Sequence, residues 1–395
     1  MKLTFVSNYI NHHQIPLSNA LFQRLGAEYT FIQTEPVESA RLEMKWEDLS
    51  EQIPYVRCSY QEPELCRRLI MESDLVIFGG TDDENYITER LQAKKPVFRY
   101  SERIYKTGQW KAISPRGLVR KYHDHIRYRK DEVYMLCSGG YVASDFHLIG
   151  AYPDKMFKWG YFPETKHLDV DNLMESKTGK GITPIKILWA GRFLDWKHPE
   201  LAVRLAQVLK QEGWNFQLEI IGGGEMQGQL QQEIREKGLM DVITCSGYQP
   251  PEKVREAMEK SRIFLFTSDY QEGWGVVLNE AMNSGCAVVA SHAIGAVPFL
   301  LQHRENGLIF RSGDLEDLVR QTRWLLEEQS RIELLGRNAC HTILETWNAE
   351  HAAAALLELA DGLLDSGKII LQQDGPCSRA EAVSPGRMYR YLVKE

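Results

Sequence analysis

The stretch Ile263-Phe-Leu-Phe266-Thr-Ser268-Asp-Tyr-Gln-Glu272-Gly-Trp-Gly275-Val-Val-Leu-Asn-Glu280-Ala-Met282 decides how the chain folds. Four consecutive apolar residues, Ile263 to Phe266, read as a strand buried on both faces, as parallel sheets require. The polar, glycine-bearing segment after it is a loop ending at Gly275, and Val276–Asn283 is predicted to be the next helix. Glu272 lies in the loop and Glu280 early on that helix. The first amides of a helix, here those of Val276 and Val277, lack intrahelical partners and suit a phosphate. Ionised carboxylates beside them suit sugar hydroxyls, since each accepts more than one hydrogen bond. Phosphate and sugar side by side describe a nucleotide-sugar.

The same alternation of apolar runs and amphipathic stretches extends in both directions. Downstream of residue 183, Ile185–Ala190, Leu218–Ile221, Val242–Cys245, Ile263–Phe266 and Ala287–Ala290 are expected strands. Pro199–Gln211, Met226–Glu236, Glu252–Lys260 and Leu315–Glu327 are expected helices. The N-terminal half repeats the pattern, with strands at Leu3–Val6, Tyr29–Ile32, Leu75–Phe78, Val97–Tyr100 and Val133–Cys137. Helices are expected there at Ile15–Leu25, Glu64–Met71 and Glu84–Lys94. Such alternation argues for two parallel α/β domains, with ligands bound beyond the carboxyl ends of the strands in the cleft between them. The expected division is residues 1–170, a linker over 171–183, a second domain over 184–365, and a tail over 366–395. The helix Asn348–Leu364 falls in the second domain, while Met388-Tyr-Arg-Tyr-Leu392 is apolar enough to dock on the first.

Composition narrows the class. A chain of 395 residues with ordinary apolar content can bury two cores, and a net charge of -7 argues against a nucleic-acid partner. Seven cysteines without C-x-x-C spacing suggest reduced thiols in the cytoplasm. The N-terminal apolar run is too short for a signal peptide and no stretch is long enough to span a bilayer, so any membrane link would be peripheral.

Other candidates sit at expected strand ends. Gly191-Arg192-Phe-Leu-Asp195-Trp-Lys197 closes the first strand of the second domain and puts two cations in one loop. Fixed cations there would stabilise the charge that grows on a departing diphosphate, although a solvated basic turn is the bland alternative. Gly222-Gly223-Gly224 lets a ligand approach the backbone, or simply makes a tight turn. Tyr248 follows the third strand, where a nucleobase could lie; an ordinary loop tyrosine fits as well. In the first domain, His12 and His13 follow strand one, and Glu102 and Arg103 follow Tyr100. All four are candidates for the acceptor side. Between Arg99 and Lys130 ten basic residues face two acidic ones, interleaved with Tyr105, Trp110, Ile113, Leu118, Val119, Tyr122 and Ile126. Either a solvated basic face or a docking surface for an anionic membrane would read this way.

Taken together, Glu272-x7-Glu280, Gly191-Arg192 with Lys197, and the Gly222–Gly224 turn resemble the donor domain of family 4 retaining glycosyltransferases, of GT-B fold. The resemblance runs through the second domain to Trp347 and implies two Rossmann-like domains facing across a cleft. It implies that Arg192 and Lys197 bind the diphosphate, that Glu280 binds the ribose and that Glu272 binds the transferred sugar. Gly191, Gly222, Gly223, Tyr248, Gly275, Val276 and Val277 would complete the donor site. It further implies no metal and no cofactor, and a tail crossing back to the first domain. The first domain departs from the pattern: many members have a glycine-rich loop where this chain has Asn11-His12-His13-Gln14, and a His where Glu102 falls. The pattern is most similar to enzymes that build bacterial surface polysaccharides.

The expected function is therefore metal-independent, retaining transfer of a sugar, of hexosyltransferase type, from a nucleoside-diphosphate donor. The acceptor would be a hydroxyl of a glycan or lipid-linked molecule, and the enzyme cytoplasmic or peripheral on the inner membrane face. The alternatives are a nucleotide-sugar epimerase of related architecture and a non-catalytic nucleotide-sugar-binding subunit.

Overall fold

The computed structural model describes residues 1–37, 49–178, 184–366 and 372–394. It resolves into two compact units. The first is Met1–Glu164 with Asn348–Ala382, and the second is Thr165–Trp347 with Val383–Glu395.

The first unit carries seven parallel strands in the order β3-β2-β1-β4-β5-β6-β7. These are β1 (Leu3–Ser7), β2 (Tyr29–Gln33), β3 (Val56–Cys58), β4 (Leu75–Phe78), β5 (Val97–Ser101), β6 (Val133–Ser138) and β7 (Met156–Trp159). Every residue of β1, β4 and β6 is buried, because helices cover both faces. One of them, Ala349–Ser366, packs on Ile15–Leu25, and Arg24 donates to the Glu350 carbonyl at 3.2 Å. The buried face of Ala349–Ser366 includes Ala352, Leu356, Leu359 and Ala360. This corrects the expectation that the helix after Trp347 completes the second domain. Residues 377–380 then run along β7: Lys158 donates to the Ser378 carbonyl at 2.7 Å and Ala380 to that of Met156 at 3.0 Å. They cover an edge that would otherwise present unpaired amides.

The second unit carries six parallel strands in the order β10-β9-β8-β11-β12-β13. These are β8 (Ile185–Ala190), β9 (Phe216–Ile221), β10 (Ile243–Gly247), β11 (Ile263–Phe266), β12 (Ala287–Ser291) and β13 (Leu308–Phe310). Its core joins Ile187, Trp189, Leu218, Ile220, Leu265 and Val289 to the apolar face of the Pro199–Gln211 helix. That helix buries Leu201, Ala202, Leu205, Ala206 and Leu209, the spacing of one helical stripe.

Two further boundaries differ from expectation. Residues 170–178 form a helix rather than a linker, and the remainder of the expected linker lies outside the described residues. The reason is Lys177, whose buried ammonium donates to the carbonyls of Met258 and Ser261 at 2.9 and 2.7 Å, satisfying the C-terminus of the Pro251–Lys260 helix. The terminal helix Pro385–Val393 packs on the second unit, not the first. Tyr389 donates to Asp317 at 2.6 Å, and its ring lies beneath the Arg311 guanidinium at 4.9 Å.

Candidate active site

In each sheet the chain builds outward on one side of its first strand and then on the other. In the second unit the order reverses between β8 and β11. Open α/β sheets bind ligands at such a reversal, beyond the carboxyl ends of the strands. The β8–β11 ladder runs only as far as Leu188 and Phe264, two residues short of each strand end. The loops after these two strands carry Arg192, Lys197 and Glu272, and Glu280 lies on the helix that follows the second of them.

The two loops are joined by their backbones. Asp269 donates its amide to the Trp196 carbonyl at 2.9 Å, and the Thr267 hydroxyl donates to the Lys197 carbonyl at 2.7 Å. The Trp189 indole donates to that same hydroxyl at 2.9 Å, which fixes the Thr267 side chain. On this frame Lys197 and Glu272 meet: the ammonium donates to Glu272 Oε2 at 2.6 Å, both side chains being mostly buried. Ser268 Oγ donates to the same oxygen at 3.0 Å, and the Trp196 ring lies 4.6 Å from the ammonium. An ammonium has three donors, so Lys197 can hold Glu272 and still face a second anion.

Arg192, by contrast, is exposed and makes no ion pair with any described residue. Glu280 is half-buried, and burial raises its pKa against the lowering influence of Arg255. Arg255 does not reach the carboxylate; it donates to the Glu280 carbonyl at 3.2 Å and to Asn283 at 2.7 Å. The Glu280 carboxylate therefore keeps its accepting capacity. The helix after the loop is Val277–Asn283, and the amides of Val276 and Val277 donate to no described acceptor.

Glycines set how closely the loops approach. Gly222, at φ +144°, stands so that a Cβ would lie 1.9 Å from the Gly191 carbonyl oxygen, and one at Gly224 would lie 2.8 Å from that of Phe193. Phe193 donates to the Gly223 carbonyl at 2.9 Å. The triple glycine thus closes the β8 loop onto the β9 loop. Gly275, at φ +92°, would press a Cβ into the Phe266 ring at 2.6 Å. Trp274 between the loop glycines is core: it is buried, donates to Asn279 at 2.9 Å and packs 6.0 Å from Trp347.

Several contributors escape a sequence reading. His198, in the left-handed region at φ 51°, lies 2.9 Å from Glu200 and 3.7 Å from Asp269. The hydrogen bonds to Asp269 and Glu200 raise its pKa to about 9, against the opposing effect of burial. Gly295 faces the Glu272 loop, where a Cβ would fall 1.7 Å from the Gly273 carbonyl oxygen, and its amide donates to the Glu272 carbonyl at 3.1 Å. Ser268 and Thr267 have no signal beyond lying next to a strand end. His198 shows only that His, like Asn and Asp, tolerates positive φ.

Tyr248 is exposed beyond β10, and its ring makes no aromatic contact with described residues. In the first unit the strand order reverses between β1 and β4, and His12 and His13 follow β1 with ring centroids 3.8 Å apart. Glu102 accepts from Lys106 at 2.5 Å and from Tyr161 at 3.1 Å. Arg103 is a correction to the acceptor-side set. It is buried, paired with Asp145 at 3.2 Å and stacked 5.1 Å from the Tyr141 ring, so it organises the interior rather than facing a ligand.

Residues 171–342 match the model of the glycosyl transferases group 1 family. The amylovoran biosynthesis glycosyltransferase AmsK of Erwinia amylovora is 33% identical over 141 residues, 34% of either chain. The D-inositol 3-phosphate glycosyltransferase of Paenarthrobacter aurescens is 27% identical over 192 residues, 47% of this chain and 46% of that one. The matched stretches thus span between about a third and a half of those relatives. Among solved structures, Anabaena Alr3699/HepE in complex with UDP superposes with a TM-score of 0.65 at 16% identity, covering 91% of this chain and 100% of that one. The two sheets are those of the GT-B fold, and residues 171–342 are similar to the glycosyl transferases group 1 family.

Proposed function

We propose that the protein is a retaining, metal-independent glycosyltransferase that moves a sugar from a nucleoside-diphosphate donor to a hydroxyl of a glycan or lipid-linked acceptor. The observation that carries this reading is the cluster at the β8–β11 reversal: Lys197 bound to Glu272 at 2.6 Å, with exposed Arg192 on the β8 loop and the uncommitted Glu280 carboxylate on the helix after the Glu272 loop. Arg192 and Lys197 would meet the diphosphate, Glu280 the ribose hydroxyls and Glu272 those of the transferred sugar. In the reaction the bond from the anomeric carbon to the phosphate oxygen breaks and one to the acceptor oxygen forms on the same face. The acceptor proton passes to the departing phosphate. The cations interact more strongly with that oxygen as its charge grows, which is the condition for lowering the barrier. Surface-polysaccharide assembly at the cytoplasmic membrane face is the setting we favour, on the likeness to AmsK over 141 residues.

The test begins with thermal shifts against a panel of nucleoside diphosphates and nucleotide-sugars, which ranks donors by their preference for the folded state. The best donor is then incubated without acceptor, and the sugar released by slow hydrolysis is followed by proton NMR. Release with the donor's anomeric configuration supports the reading, and initial release of the opposite anomer refutes retention. Accumulation of an epimeric nucleotide-sugar would make the protein an epimerase. Binding without any turnover, with or without cell-derived acceptor, would make it a binding subunit.

A further inference from the structure

We infer that the segment between Gln109 and Asp124 is a docking surface for an anionic lipid bilayer. The helix Pro115–Asp124 buries none of its residues. Amphipathic helices of soluble domains turn their apolar stripe to the core; this one does the reverse. Val119 and Tyr122 are 59% and 52% exposed, and the preceding turn holds out Trp110 and Ile113 at 68% and 79%. Side chains three and four apart share a face, so Val119 and Tyr122 form one apolar stripe. Arg116 and Arg120 flank it and are themselves exposed.

This surface is built, because both of its ends are fixed by buried polar contacts. On one side the buried Asp145 carboxylate accepts from the Tyr105 amide at 3.0 Å and from Gln109 at 2.9 Å, beside its pair with Arg103. On the other, buried His125 meets the Tyr152 hydroxyl at 2.6 Å. The unit therefore holds out large apolar side chains that it could have covered.

Charge selects the occupant. Ten basic residues against two acidic ones between Arg99 and Lys130 stand out in a chain of net charge -7. An apolar stripe rimmed by arginines suits the interface of an anionic bilayer, where aromatic and aliphatic groups enter the acyl boundary and cations meet lipid phosphates. No helix among the described residues is long and apolar enough to cross a membrane, so the contact would be in the plane of the surface. The inference is independent of the donor site, and its failure would leave the transferase reading intact.

The experiment is co-sedimentation of the full chain with vesicles of phosphatidylcholine alone or with 30% phosphatidylglycerol. Binding is expected to the anionic vesicles at low salt, at least tenfold weaker at 0.5 M salt, and absent for the neutral ones. Two variants, Ile113→Ser/Val119→Ser/Tyr122→Ser and Arg116→Glu/Arg120→Glu, should each lose at least tenfold in affinity at unchanged melting temperature. No binding at low salt, or binding that either variant retains, overturns the inference. So does concentration-dependent self-association of the wild type that the serine variant abolishes, because the surface would then belong to a second copy.

Discussion

Replacing Gly295 by alanine probes the site without touching any group that meets substrate. Gly295 is not at positive φ, so the effect is steric: the new methyl would stand 1.7 Å from the Gly273 carbonyl oxygen and 2.6 Å from its carbon. Carbon contacts settle near 3.5 Å, so one backbone must give by about 2 Å. The nearest part that can yield is the loop holding Glu272, whose carbonyl also accepts from the Gly295 amide at 3.1 Å. Overpacking of this kind costs about 1–3 kcal/mol of stability. A misplacement of about 1 Å at a reacting centre can cost on the order of 100-fold in rate. Turnover of the best donor should therefore fall by roughly that factor, with a modest loss of melting temperature. Gly228→Ala is the matched control: nothing lies within 4 Å of its Cβ and it sits in the Gln227–Glu236 helix. That variant should be slightly more stable, by about 0.5–1 kcal/mol, and fully active. Wild-type turnover in Gly295→Ala would refute the claim that the Glu272 loop is held in place by contact with Gly295.

Lys197→Ala should lower turnover about 10²–10³-fold, the range for removing one donor from a developing anion. Measured by nucleoside-diphosphate thermal shift, it should also weaken product binding. In a double-mutant cycle with Glu272→Ala, the loss of activity should be strongly non-additive, since the two side chains share one hydrogen bond. His198 has its pKa raised to about 9, so its stabilising contribution is full below about pH 6.5 and is lost as pH rises through 9. Denaturant unfolding at pH 6 and pH 9.5 should show the wild type losing about 1–2 kcal/mol more than His198→Asn, after allowance for solvent screening. Tyr389→Phe removes the bond to Asp317 and should destabilise the second unit by about 1–2 kcal/mol in urea unfolding, without altering turnover.

Much of this organisation was legible in the amino-acid order, and the exceptions share physical causes. Strands buried on both faces, such as β4 and β11, announce themselves as unbroken apolar runs. β3 and β13 have three residues each and β7 four, too few for any period to show. The helix Pro115–Asp124 is hidden for the opposite reason, since its apolar residues mark the face turned to solvent. At the site, Arg192, Lys197, Glu272 and Glu280 could be found because they follow strands in the same half of the chain. Gly295 and the His198 clamp could not, because their roles depend on contacts between loops that only the sheet order brings together. Arg103 was misread because strand-end position says nothing about which way a side chain turns, and a buried carboxylate at Asp145 claims it.

The interleaving of the two units has a consequence for how the protein is made. The chain passes from one unit to the other three times, near residues 164, 347 and 382. The first unit thus receives its Ala349–Ser366 helix and the strip that seals β7 only after all of Thr165–Trp347 has been synthesised. At ribosomal speeds of about 5–20 residues per second, that interval lasts roughly 10–40 s. During it the nascent first unit carries an uncovered apolar helix face and an open sheet edge, the two features that recruit chaperones or seed aggregation. Fragments ending before residue 348 would keep those liabilities permanently.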